Sequence, residues 1–349
     1  MLNRKWKIRA ISFLFVGAAG FIFWKVGRSV FAVTKVIHER EESEISEKNE
    51  FTDIVYTSFD ENSNKITLKS SKVKEKNNET FDFDNMVTTF NISPEETATI
   101  FADESRFVSK ESKQCEMNGN VKLFTEEGLL LETEKSFVDI DKKIARGDTD
   151  IKITQDDTKF FAKKYQFDMG KKIVTLIKDV KGNISDDSVT ADKLVVEFDK
   201  VIGKDFKRVH AFGNSSYKTN QYNLRATKDI IYTKKDTSHT KQYTEANGNV
   251  NLDFKKDKRS YFVTSDHMTM DIQNNIVEKV IAQNNLKIKI DDTTSIKGDR
   301  GVLENDFLTV TGNTVIFNEK GKILCKKAIL NTKTNDIKVY DSKGIIKRN

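Results

Sequence analysis

Histidine, cysteine and acidic side chains are the residues of this 349-residue chain that could carry catalysis or bind a metal. The four histidines are His38, His210, His239 and His267. They share no spacing typical of a metal site, and neither Cys115 nor Cys325 belongs to a CxxC pair. The chain also lacks the GxxxxGK(S/T), HExxH and GxSxG patterns. The sequence therefore predicts no catalytic residue, no metal site and no cofactor.

Apolar side chains at alternating positions form a second set, which could bind an amphipathic molecule. The candidates for lining a lipid-binding groove are Phe107, Phe137, Phe167, Leu194, Val196, Phe198, Met268, Met270, Ile272 and Ile288. Two interpretations stay open for them. Either they fill an ordinary closed core, or they line an incompletely closed sheet whose inner face solvates acyl chains.

A recurring pattern from about residue 100 onward positions these side chains. Each copy begins with a small residue, often Ala-Asp, continues with alternating apolar positions, turns, and ends at Gly-Asn or a close variant. The clearest copy opens at Ala191-Asp192 and ends at Gly213-Asn214. Further copies end at Gly119-Asn120, Gly182-Asn183, Gly248-Asn249, Asn284-Asn285 and Gly312-Asn313. Successive copies start about 30 to 38 residues apart, which indicates stacked structural units.

The period within each apolar run is two, which predicts strands with one apolar and one charged face. The Gly-Asn steps are expected to supply positive φ at turns or bulges. Each unit alone buries too little surface to be stable, so neighbouring units must stack. We therefore predict an all-β fold, an elongated stack of antiparallel strands. Several units would separate Cys115 from Cys325, too far for a disulfide.

The first forty residues predict a membrane anchor. A basic flank precedes the uncharged apolar stretch 10–24, and the residues up to 36 lengthen it enough to span a bilayer. The alternative is a signal peptide cleaved near 17–20, but the apolar stretch continues past that site. The basic end is expected to stay in the cytoplasm, so the rest of the chain is exported. Residues 1–36 are thus the flank and one transmembrane helix, and 37–52 a charged linker.

The repeat resembles a known family. The Ala-Asp-x-Leu-x-Val and Ala-x-Gly-Asn-Val patterns within 191–214 and 226–250 resemble the OstA-like proteins of lipopolysaccharide transport. The stretch from Gly119 to Asp139 is similar to the LptC pattern of that family, and the segment from 185 onward is similar to LptA. A basic N-terminus followed by a single anchor also looks like LptC.

The resemblance implies an open β-jelly-roll, or β-taco, in two modules, LptC-like at 53–184 and LptA-like at 185–349. Its hydrophobic groove would hold the acyl chains of lipid A. Such a protein, anchored once in the inner membrane with its bulk in the periplasm, would receive lipopolysaccharide from an inner-membrane ABC transporter complex. It would pass the lipid to LptA or to LptD-like bridge components through edge-strand pairing. The family brings no catalytic residues.

Two other function classes compete with lipid transport, and a third is not expected. A structural or protein-binding envelope β-repeat protein without lipid cargo fits the repeat and the anchor equally well, and would need a well-filled apolar interior. A carbohydrate-processing β-solenoid predicts a cluster of acids on one outer face, which the period-two registers do not single out. Nucleic-acid binding is not expected, because the 59 basic and 53 acidic residues are spread along the chain.

Overall fold

The computed structural model describes residues 50–59, 65–77, 80–93, 96–107, 114–198, 206–234, 241–256, 259–274 and 276–346. The predicted anchor and most of the predicted linker lie outside the described residues. Within the described part of the chain, no helix is long and apolar enough to cross a membrane.

The described residues form 24 antiparallel strands of one sheet. The strands are β1 (Glu50–Phe59), β2 (Lys65–Asn77), β3 (Thr80–Ser93), β4 (Glu96–Phe107), β5 (Gln114–Thr125), β6 (Leu130–Asp139), β7 (Ile144–Gly147), β8 (Ile151–Gln155), β9 (Thr158–Ala162), β10 (Lys164–Asp168), β11 (Ile173–Ile184), β12 (Asp187–Phe198), β13 (Phe206–Phe212), β14 (Ser215–Lys218), β15 (Tyr222–Ala226), β16 (Asp229–Lys234), β17 (Lys241–Lys256), β18 (Arg259–Gln273), β19 (Ile276–Lys289), β20 (Ser295–Glu304), β21 (Phe307–Asn318), β22 (Gly321–Asn331), β23 (Ile337–Tyr340) and β24 (Lys343–Ile346). The prediction of an all-β, antiparallel fold is confirmed.

The chain runs as one meander, in which each pass across the sheet pairs with the pass before it and the pass after it. Some passes across the sheet are interrupted and count as two short strands, such as β7 followed by β8, which both pair with β6. Similarly, β9 and β10 both pair with β11, and β13 and β14 both pair with β12. Because the strand pairings join successive passes of the chain, the alternating pattern of one pass is matched directly by the next.

The interruptions and most of the register shifts lie on a line across the sheet, which we call the crease. Most predicted Gly-Asn steps lie there and adopt the expected positive φ, for example Gly213 at 81° and Asn120 at 44°. Aspartates of the Ala-Asp steps lie beside them: the backbone N–H of Asn214 donates to Asp192 Oδ2 at 3.1 Å. The side chain of Asn120 likewise donates to Asp103 Oδ2 at 2.6 Å. The two ends of the sequence repeat thus meet across neighbouring strands and bend the sheet.

One copy of the repeat departs from this arrangement. Gly182 and Asn183 do not have positive φ and lie within β11, where they pair with β9 and β12. The bulge of this strand is instead at Lys178-Asp179, with φ of 69° and 55°. The prediction of positive φ at Gly182-Asn183 is therefore wrong. Its glycine serves packing, because a Cβ there would lie 2.6 Å from Cε1 of Phe160.

The sheet folds back on itself along the crease. The hydroxyl of Tyr261, near the start of β18, donates to the carbonyl of Thr332 at 3.1 Å. The neighbouring Phe262 is aligned through the strand ladder with Lys322 at the start of β22. Thr332 follows the far end of β22, about 33 Å from Lys322 in a flat strand. The hydrogen bond is therefore possible only if the two sides of the sheet face each other.

We call the parts of the sheet on either side of the crease limb A and limb B. Limb A includes Leu131 and Phe160, and limb B includes Val138 and Phe167. Their inward side chains belong to one hydrophobic cluster, which holds the core of the described residues. The sheet continues without interruption where the two predicted modules meet, since β11 pairs with β12 from Ile173 to Ile184. The division at residue 184 stays a prediction.

The two cysteines are free thiols in distant strands. From Cys115 in β5 to Cys325 in β22 there are thirteen strand-to-strand steps. At about 4.8 Å each, they amount to a path on the order of 60 Å, far beyond the reach of a disulfide.

The thiol of Cys115 is expected to be unreactive in the folded chain. Its side chain is fully buried, and burial raises its pKa to about 12, so at pH 8 only about one thiol in 10⁴ is ionised. Iodoacetamide should leave Cys115 unmodified in native buffer and alkylate it fully in guanidinium chloride, as peptide mass spectrometry can measure. Native labelling at the rate of free cysteine would contradict the buried position.

Candidate functional site

The inward side chains of limb B form a continuous row along the sheet. Its members pair directly from strand to strand: Phe107, Cys115, Val138, Ala145, Phe167, Val174, Val196, Val209, Tyr232, Thr244, Met270, Val280, Leu303, Leu308 and Leu330. Four of the predicted groove residues, Phe107, Phe167, Val196 and Met270, lie in this row. The row crosses the predicted boundary between the two modules, so both contribute to one apolar surface.

Limb A supplies the facing surface. Its inward row contains Ile100, Leu123, Leu131, Ile153, Phe160, Gly182, Val189, Tyr217, Leu224, Leu252, Val263, Ile288, Ile296, Ile316 and Ile323. The predicted Ile288 belongs to this row. Leu194 and Met268 lie nearer the crease, in a row with the small residues Ala211, Ala246 and Ala282.

Of the ten predicted groove residues, eight are buried, one is half-buried and one lies on the outer face. Those that expose 5% or less are Phe167, Leu194, Val196, Phe198, Met268, Met270, Ile272 and Ile288. Phe107 is half-buried at the end of β4, where its ring meets Phe83 edge-on at 5.3 Å. The two limbs are therefore in contact in this structure, and the inner face is a filled core.

Phe137 faces outward, so the prediction that it lies on the inner face is wrong. Its neighbours Ser136 and Val138 are buried, and the guanidinium of Arg146 lies 4.7 Å from the centre of its ring. The cause is the crease. Thr133 and Ser136 are both buried although they are three positions apart, so the alternation of β6 is reset between them.

Tyrosines fill part of the interior and were missed among the candidates. The rings of Tyr217 in limb A and Tyr232 in limb B are 5.1 Å apart. The Tyr217 hydroxyl donates to Asp187 Oδ2 at 2.7 Å, and burial raises the pKa of this phenol well above its usual value. Tyr232 alternates with Ile230 in β16, a signal that could have placed it on the inner face.

A cluster of charged residues closes the limbs at their turn ends, which we call the lip. Lys172, in the turn between β10 and β11 of limb B, lies 2.9 Å from Glu96 Oε2 and 2.8 Å from Glu127 Oε2 of limb A. Lys143, in the turn between β6 and β7, donates to the carbonyl of Ile92 at 3.1 Å. Burial raises the pKa of Glu96. The alternating pattern gives no sign of these contacts, because they join turns of opposite limbs.

The described histidines lie outside the interior. His210 stacks on Phe212 with 3.7 Å between ring centres, and its Nε2 lies 3.6 Å from Asp229 Oδ2. The Nδ1 of His267 is 2.8 Å from the amide oxygen of Asn247. Across the residues that the structure describes, no three histidine, cysteine or acidic side chains are grouped to hold a metal ion. His38 and His239 lie outside that part of the chain.

Comparison with known proteins adds one finding. The family model described as "Lipopolysaccharide-assembly, LptC-related" matches residues 11–185, which is half of the chain. The match includes the crease step Gly119-Asn120, the lip residues Glu96 and Lys172, and the first strands of the inner rows. A search of curated proteins finds no match.

Proposed function

The chain belongs to the LptC-related family of lipopolysaccharide-assembly proteins, and on that premise we propose that it carries lipopolysaccharide with the acyl chains held between limbs A and B. The observation that supports this proposal most directly is the pair of continuous inner rows, which are apolar apart from Thr244 and the tyrosine hydroxyls. Each row presents hydrocarbon from strand to strand along the stack, so an acyl chain can move along it without meeting water.

Loading requires the limbs to part. The interior is filled in this structure, so acyl chains would replace contacts between the two rows with contacts of the same apolar kind. Such an exchange has a small net free energy, because the buried surface is apolar before and after it. The crease is the natural hinge, since its bulges already interrupt the strand ladder.

The anchor and the partners are part of the same proposal. Residues 1–36 would place the chain in the inner membrane, with the N-terminus cytoplasmic and the sheet in the periplasm, beside an ABC transporter complex. Among the described strands, β1 pairs only with β2, and β23 and β24 pair only with β22. Free strand edges at both ends of the sheet suit edge pairing with LptA or LptD-like bridge components.

Site-specific photo-crosslinking tests the proposal. A photo-reactive phenylalanine analogue is placed at the inward positions Leu194, Phe198 or Met270, and in a control at the exposed position Lys193. In cells, we expect lipopolysaccharide adducts at the inward positions at least tenfold above those at Lys193, because only the inner row would contact acyl chains. Thermal melts of each variant check that the core still folds. Equal labelling of both sets would exclude the groove.

A second candidate function is favoured by the filled interior. A structural or protein-binding envelope protein needs no lipid, and the eight inward candidates that expose 5% or less are consistent with a permanently closed core. Mass spectrometry of the gently purified chain separates the two. Co-isolated acylated lipid favours transport, whereas a lipid-free chain whose inward positions also fail to crosslink favours the structural role.

A further inference from the structure

Two turns of limb B share one local motif that ends in a lysine at the lip. The first is Asp139–Lys143 and the second is Asp168–Lys172. In the first turn, the backbone N–H of Lys142 donates to Asp139 Oδ1 at 3.0 Å. In the second, the N–H of Lys171 donates to Asp168 Oδ1 at 2.9 Å. The backbone N–H of Met169 also donates to the carbonyl of Lys143 at 2.9 Å, which ties the two turns together.

The last lysine of each turn has an unusual backbone conformation. Lys143 and Lys172 both have φ of 56°, in the left-handed region where glycine and asparagine are far more common. Each directs its ammonium across the lip, away from the turn that holds it. Lys143 donates to the carbonyl of Ile92, and Lys172 contacts Glu96 and Glu127. Two turns of the same design thus place two cations at one edge of the interior.

The surroundings of Lys172 combine apolar and anionic groups. Lys172 and Glu96 line one small cavity together with Leu129, Phe167 and Phe198. The backbone N–H of Phe198 donates to the Lys172 carbonyl at 3.0 Å, so the lysine is fixed to the end of the inner face. Lys172 thus lies where the apolar interior meets the lip. This is the level at which the acyl chains of an acylated molecule would join its headgroup.

The anions that meet Lys172 are imperfectly held. The ammonium lies 2.9 Å from Glu96 Oε2 as an ion pair, but this buried oxygen receives no hydrogen bond of good geometry. Two carboxylates also share the single ammonium, with side chains that expose 6% and 30%. This arrangement is weaker than a buried pair with all hydrogen bonds satisfied. An anion with several acceptor oxygens could accept charge-assisted hydrogen bonds from both ammonium groups.

We propose that Lys143 and Lys172 form a binding site for the phosphate of an acylated, phosphorylated lipid, with the Glu96 and Glu127 carboxylates in its place when the limbs are closed. The proposal rests on the proposed function and names the headgroup contact of the same cargo. When the limbs part, the phosphate replaces the carboxylates on Lys172, and Lys143 exchanges the Ile92 carbonyl for a charged acceptor. Lys172 therefore keeps an anionic partner in both states, which avoids the penalty for leaving a buried charge unpaired, and Lys143 keeps an oxygen acceptor in both.

The test uses the full chain in micelles of an uncharged maltoside detergent, with three probes: fluorescent lipid A with its phosphates, the same lipid A after their removal, and inorganic phosphate alone. We expect the phosphorylated lipid A to bind about tenfold more tightly than the dephosphorylated one, as charge-assisted hydrogen bonds imply. The double variant Lys143→Met, Lys172→Met should lose this preference and bind dephosphorylated lipid A as the wild type does. Lys159→Met, at an exposed position of limb A, is the matched control.

A second pair of variants gives a change of the opposite sign. Glu96→Gln with Glu127→Gln keeps both lysines and removes the competing charges, so phosphorylated lipid A should bind several-fold more tightly than to the wild type. The Glu96→Gln, Glu127→Gln variant tests the phosphate site even where loss of Lys172 impairs folding. Thermal melts accompany every variant.

Each other outcome overturns a defined part of the proposal. Equal binding of the two lipids by the wild type, or a preference that survives in the double lysine variant, excludes the site and leaves the apolar groove standing. Inorganic phosphate that binds as tightly as phosphorylated lipid A excludes a lipid headgroup as the ligand. Failure of both lipids to bind excludes the groove, and the headgroup site with it.

Discussion

Replacing Lys172 with methionine is expected to lower the free energy of unfolding by about 3 kcal/mol, more than any other single charge change at the lip. Methionine fills a similar volume beside Phe167 and Phe198, so the packing of the cavity is largely kept. The loss comes from Glu96. Its side chain exposes 6% and would stay beside apolar groups without its cation.

A double variant separates the charge effect from packing. Glu96→Gln removes the buried charge, so the pair Glu96→Gln, Lys172→Met should recover at least half of the loss, as urea unfolding of the wild type, both single variants and the double variant would measure. Lys159→Met tests the general effect of removing an exposed lysine and should stay within about 0.5 kcal/mol of the wild type. A Lys172→Met variant as stable as Lys159→Met would show that the lip contacts do not hold the limbs together.

Strand identity and direction could be predicted because the alternating pattern is local. Met268, Met270 and Ile272 occupy every second position of β18, and one buried face accounts for all three. The repeat also indicates the stacking order, since each copy pairs with the copies beside it in the sequence. Information of this kind needs no knowledge of distant contacts.

The crease explains where the predictions failed. Phe137 follows a reset of the alternation at Glu134-Lys135, two exposed residues that contain no Gly-Asn step to announce it. In β11 the bulge forms at Lys178-Asp179, which carries no sequence signature, while the visible Gly182-Asn183 stays in regular strand. A bulge displaced by a few residues inverts the inward and outward positions that follow it. Which positions face inward beyond the crease was therefore the least predictable feature.

The lip could not be predicted from a local pattern. Lys172 and Glu96 lie on opposite limbs and meet only because the sheet folds back along the crease. Their residue types are those of ordinary polar turns, so the sequence alone gives no reason to single them out. What the sequence does contain is the repetition of Asp and Lys-Lys at the same spacing in 139–143 and 168–172, which acquires meaning only once both turns are known to reach the same edge.

Alanine at Gly213 is expected to lower the free energy of unfolding by about 3 kcal/mol, the largest effect of any glycine at the crease. Gly213 has φ of 81°, and an added Cβ would lie 2.7 Å from Cγ of Asp192. The variant combines two penalties: an L-residue in the left-handed region, and displacement of the aspartate that accepts the hydrogen bond from the Asn214 N–H. If the crease is the hinge, the same variant should also reduce lipid loading.

Three other glycines of this chain separate the two penalties. Gly128 has φ of 89° with open space around its Cβ position, so Gly128→Ala measures the backbone term, about 1 kcal/mol. Gly182 lacks positive φ but a Cβ there would lie 2.6 Å from Cε1 of Phe160, so Gly182→Ala measures the clash, about 1–3 kcal/mol. Gly344 meets neither condition, and Gly344→Ala should change stability by less than about 0.5 kcal/mol.

Urea unfolding of the four variants under one buffer condition checks the whole set. The decisive comparison is between Gly213→Ala and the sum of the losses at Gly128 and Gly182. Agreement within about 1 kcal/mol would mean that the crease is stabilised by the local bulge and its aspartate alone. A loss at Gly213 no larger than that at Gly128 would mean that Asp192 moves aside freely. The bulges would then tolerate rearrangement, and the bend would have to be maintained by the contacts between the limbs, above all those of Lys172 at the lip.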